Sequence, residues 1–94
     1  MHNKKEVSLL EIEECVEREF SYHFPGKGLD DVYNPIETVH DAQIRNVFRD
    51  KLKLALKTEL LITIGFEMLD KFMLMSSTPR ETARLVYDGL SKKK

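Results

Sequence analysis

The sequence predicts an all-α fold, a small bundle of about four helices in one domain spanning residues 1–94, frayed at 1–7 and 91–94. Three observations lead there. Helix-start signals recur along the chain, apolar residues between them follow helical spacing, and glycine and proline gather in few places. Ninety-four residues make one domain. Such a chain buries roughly 60–65% of its unfolded surface, enough for one core with little stability to spare.

The first helix is expected from about Leu9 to His23. Ser8-Leu9-Leu10-Glu11 is a capping box, in which the Ser8 hydroxyl takes a free backbone amide and Glu11 reaches back to the Ser8 amide. Val7 and Ile12 stand where a hydrophobic staple would place them. Leu9, Ile12, Val16 and Phe20 make one apolar face, with Glu13, Glu14 and Glu17 opposite. Phe24-Pro25-Gly26-Lys27-Gly28 ends the helix, and a loop continues to Tyr33.

A second box, Asn34-Pro35-Ile36-Glu37, starts the next helix, with proline at the first helical position, where its missing N–H costs nothing. From Pro35 to Thr78 the only breaker is Gly65. One unbroken helix would be about 60 Å long, and no heptad register stays apolar along it. A break is therefore expected near Lys57–Glu59. The second helix then runs from Pro35 to Leu56, with Ile44, Val47, Phe48, Leu52 and Ala55 inward.

Residues Glu59–Met75 fit two periodicities. As a strand, Leu60, Ile62, Ile64, Phe66 and Met68 share one face; as a helix, Glu59, Thr63, Glu67 and Asp70 form one polar stripe. Length and the Met and Leu content favour the helix. A third box, Thr78-Pro79-Arg80-Glu81, begins the last helix, which runs to about Leu90 with Ala83, Val86, Tyr87 and Leu90 on one face. The first, second and fourth helices are expected to pack around the third.

That third helix has an apolar arc of about 200°, wider than the ~100° that an outer bundle helix needs. The excess predicts a contact surface for another chain, and dimerisation would then complete the bundle. Phe66, Leu69, Phe72, Met73 and Met75 are the expected contacts, joined by Leu85 from the last helix. Methionine adapts to irregular apolar partners and aromatics anchor interfaces. The leading expectation is thus a non-enzymatic interaction or regulatory module, a homodimer or a subunit beside another protein.

Charge bounds the alternatives. Sixteen acids against 15 bases give a net charge of −1, so the whole chain is not an electrostatic nucleic-acid binder. Locally, Arg45, Arg49, Lys53 and Lys57 recur every fourth residue and make a winding basic stripe. The stripe is the candidate contact for anions or a nucleic-acid backbone, with Arg80, Arg84 and the lysine tail as extensions. Asp41 can pair with Arg45. One cysteine, Cys15, and three histidines without shared spacing predict no disulfide, metal or cofactor. Glu37-Thr38-Val39-His40 matches a di-iron E-x-x-H once only, and Gly26-Lys27-Gly28 lacks the remainder of a phosphate-binding loop. The apolar run Leu60–Met75 is interrupted by Glu67, Asp70 and Lys71, so no membrane span is expected, nor does a signal core follow the N-terminus. A cytoplasmic location is the default.

Two acid motifs carry a resemblance. Glu13-Glu14-Cys15-Val16-Glu17 reads E-E-x-x-E and Glu67-Met68-Leu69-Asp70 reads E-x-x-D. The pair resembles the magnesium-binding acids of the all-α MazG-like nucleoside triphosphate pyrophosphohydrolases. The resemblance implies carboxylates facing one another across helices, holding magnesium against a phosphoanhydride. It covers those two motifs alone, and here a loop and a whole helix separate them.

Overall fold

Ser8 sets the start of the first helix in the way its sequence implies. The computed structural model describes residues 7–31 and 39–92. Helix α1 spans Leu9–His23, with the Glu11 amide donating to Ser8 Oγ at 3.2 Å and the Ser8 amide donating to Glu11 Oε1 at 2.9 Å. Both halves of the box are formed, which satisfies two amides that the helix start otherwise leaves open. Val7 and Ile12 both join the core. At the other end the Phe24 amide returns to the Phe20 carbonyl, and Gly26 takes the left-handed φ of +88° that the turn requires.

Helix α2 spans Val39–Leu60. The box at Asn34–Glu37, the expected start at Pro35 and the Glu37–His40 motif lie outside the residues whose side chains are described. Its C-terminal end corrects the expected break. The helix continues through Lys57–Glu59, and Leu61 turns the chain with a left-handed φ of 59°. The Leu61 amide still donates to the Lys57 carbonyl, and the Ile62 amide folds back onto the Leu56 carbonyl. These bonds satisfy carbonyls that a helix end leaves free, in a role that glycine usually fills.

The third helix is shorter than its periodicity suggests. Leu61–Gly65 is not helical, and α3 spans only Phe66–Met75. Burial alternates along the connection, with Ile62 buried, Ile64 half-buried, and Leu61 and Thr63 exposed. The strand-like period is therefore real for these residues, and the helical period is real only from Phe66 onward. Gly65 is the N-cap, and its carbonyl accepts the first helical bond from the Leu69 amide at 3.0 Å.

Helix α4 spans Pro79–Lys92, two residues beyond the expected stop near Leu90. Its start is a shifted capping box: the Glu81 amide donates to Thr78 Oγ1, while the Glu81 carboxylate accepts from the Ser77 amide at 2.7 Å rather than from Thr78.

Packing follows a ring. Helix α1 lies against α2 and α4, and α3 lies against the same two, so α1 and α3 form one diagonal and α2 and α4 the other. Among the four described helices none is central, which corrects the expectation that α3 is wrapped by the rest. The core fills the ring with Ile12, Val16, Phe20, Phe48, Leu52, Leu56, Leu69, Met73, Ala83 and Val86. Phe48 is its largest fully buried side chain, edge-on to Phe20 and Phe24 at centroid distances of 5.6 and 6.2 Å. Val47, expected inward, is exposed, because Phe48 and Leu52 already set the inward direction of that turn.

Candidate protein-interaction surface

Helix α3 has ten residues, and two of them, Leu69 and Met73, are fully anchored in the core. Their direction sets the others by the 100° advance per residue. Phe72 and Asp70 flank the inward side and are half-buried. The opposite side carries Glu67 and Lys71 along its midline, Leu74 on one flank, and Met68 and Met75 on the other. All five are exposed, Leu74 at 64% and Met75 at 60%. Phe66 is also exposed and lies under the Arg49 guanidinium, 5.4 Å from its carbon to the ring centroid. Leu61 precedes the helix at 85% exposure.

The six residues expected at a contact surface divide accordingly. Phe66 and Met75 are exposed; Phe72 and Leu85 are half-buried, Phe72 against the core. Leu69 and Met73 are corrected to core residues, because α3 spends its narrow inward stripe on them. Met68, Leu74 and Leu61 belong to the exposed apolar surface and were not anticipated. The signal for two of them is legible in retrospect: with the helix starting after Gly65, Glu67 and Lys71 mark its outward side.

Two arginines hold α3 in this orientation. Arg45 and Arg49 each donate to Asp70 Oδ1, at 3.2 and 3.1 Å, with side chains 22% and 15% exposed. Arg49 also reaches Asp50 Oδ1 and Asn46 Oδ1. Asp70 is thus the inward edge of α3's polar side, bound across the gap to α2. This pairing corrects the basic stripe: its first two members face an internal carboxylate, leaving Lys53 half-buried and Lys57 exposed. Arg45 and Arg49 therefore do not form a free anion-contact row with them. The side chain of Asp41, the expected partner of Arg45, lies outside the described residues.

The expected extension of the stripe is likewise engaged. Arg80 binds both oxygens of Asp30, at 2.8 and 3.2 Å, and Glu13 Oε2 at 3.2 Å, tying the α1–α2 connection and α1 to the start of α4. Its guanidinium holds the Asp30 carboxyl below the ordinary carboxylate range. Arg84 pairs with Asp88 one turn on, at 3.6 Å.

The two acid motifs do not meet. Glu13–Glu17 is on α1 and Glu67–Asp70 on the diagonal helix α3, with Glu13 on Arg80 and Asp70 on two arginines. Among the described residues, no three His, Cys, Asp or Glu side chains gather where they could share a metal ion. Cys15 is buried beside Arg18, which clamps Glu59 at 2.6 Å and so joins α1 to the end of α2. Burial first, then the Glu59 charge, push the Cys15 thiol up to about 11. His23 sits edge-on to Phe48 in a shallow depression with Tyr22, Gln43, Ile44 and Val47 that is open to solvent.

No helix among the described residues is long and apolar enough to cross a membrane. No protein-family model, curated protein or solved structure matches this chain.

Proposed function

We propose that this chain is a small non-enzymatic protein-interaction module that docks through the outward face of α3 and the adjoining Leu61. One observation carries the reading. Within residues 61–75, Leu61, Phe66, Met68, Leu74 and Met75 all have roughly half or more of their surface exposed. Large apolar side chains scattered singly over a surface need no explanation, but a concentration on one short segment marks a contact site. Leu61 adds to it: leucine occupies a left-handed backbone position that glycine would fill with less strain, while its side chain points to solvent.

The test is site-specific photo-crosslinking of the full chain in lysate of its source cells. A photoreactive residue at Met75 or Leu61 is expected to trap a protein, and one at Tyr22, exposed but remote in sequence, to trap none. Equal trapping at all three positions, or none at any, refutes the reading.

A further inference from the structure

We infer that the occupant of the α3 face is a second copy of this chain, in an antiparallel α3–α3 pairing about a two-fold axis; the inference rests on the docking reading above. The argument is charge pattern. Glu67 and Lys71 lie one turn apart along the middle of the outward face, and neither is ion-paired with another described residue. A face bearing one acid and one base in line, with apolar flanks, is its own complement when reversed. A two-fold axis opposite residue 69 sets Glu67 of one copy against Lys71 of the other, twice, because an isologous contact makes every pair in duplicate.

The apolar flanks fit the same operation. A two-fold across antiparallel helices brings like flanks together. Met68, one residue from the axis, meets its own copy there, and thioether side chains pack adaptably. Leu74 and Met75 extend past Gly65 of the second copy, toward the segment that carries Thr63 and Ile64. A strongly basic or acidic partner has no such match, since the face itself is neutral. Nor do two copies repel at long range, with a net charge of −1 each. The corner position of α3 in the ring leaves this face clear of α2 and α4.

Complementary charge swaps on the full chain test the register. Sedimentation velocity on the wild type is expected to show a dimer at high concentration. Glu67→Lys places lysine against lysine, and Lys71→Glu places glutamate against glutamate. Each alone is expected to weaken association on the order of tenfold or more, since two attractions become two repulsions. An equimolar mixture of the two variants is expected to recover as a heterodimer, because one copy then presents two bases and the other two acids. Circular dichroism checks that both exposed-site variants keep their helix content. A wild-type monomer at millimolar concentration, undiminished dimers in both single variants, or a mixture that fails to recover overturns the inference. If Met75 still traps a different protein in that case, the docking reading stands and only the second copy falls.

Discussion

Leu61 offers a test whose sign, not only its size, is set by the backbone. Its φ of 59° is in the left-handed region, which costs an L-residue about 1–2 kcal/mol. Compare Leu61→Gly with Leu61→Ala. Both remove the same exposed side chain, so burial cancels and the backbone remains. Glycine relieves the strain but loses about 0.5–1 kcal/mol more conformational entropy on folding than alanine. Taking mid-range values, the glycine variant should be the more stable by about 0.5–1 kcal/mol. For a domain of this size that is a rise of roughly 2–8 °C in Tm relative to the alanine variant. Leu54 is the control, another exposed leucine but inside α2. There the order must reverse, with Leu54→Gly about 1 kcal/mol less stable than Leu54→Ala. Urea unfolding followed by circular dichroism at low protein concentration measures all four, with equal m-values required. If Leu61→Ala matches or exceeds Leu61→Gly, the left-handed turn at the end of α2 is not how the chain leaves that helix.

Two further outcomes are expected. Asp70→Asn removes the one carboxylate shared by Arg45 and Arg49 and leaves two mostly buried guanidiniums without it, so stability should fall by about 1–2 kcal/mol. A double-mutant cycle with Arg45→Met isolates the pair, and a coupling of zero would mean that Asp70 does not fasten α3 to α2. For Cys15, a folded thiol held at about 11 against an ordinary value of 9.0 favours the protonated folded form. Its contribution to stability is full below pH 9 and is lost as pH rises from there through about 11. The loss should be absent in Cys15→Ala, and native thiol reagents should act slowly at pH 8; thiolate absorbance appearing with a midpoint near 9 would contradict this.

How far the candidate surface is legible in the chain depends on helix phase. Phe66 and Met75 are exposed, whereas Leu69 and Met73 turn inward. The difference traces to Glu59–Met75 being read as one helix. Over that length the stripe Glu59, Thr63, Glu67, Asp70 fixes an outward direction, and Asp70 then counts as solvent-facing. In the folded chain Asp70 leans to the arginines of α2, which rotates the outward midline onto Glu67 and Lys71. Leu61 had no distinguishing signal, since nothing local says that a leucine will take a glycine's conformation.

What the sequence alone determines here is local. The start and end of α1, the proline start of α4, and the inward faces of Ile12, Val16, Phe20, Phe48 and Leu52 follow from caps and spacing within a few residues, because hydrogen bonds at helix ends are made by near neighbours. Tertiary structure alone decided three things: that Leu61–Gly65 leaves the helix, that the helices form a ring without a centre, and that Arg45 and Arg49 serve Asp70. The reason is the same each time. Residues 60–68 satisfy a strand period and a helix period equally well, and an arginine row satisfies solvent and carboxylate equally well. Only burial against residues distant in the chain, Ile62 and Leu69 in the core and Asp70 beside α2, separates the alternatives.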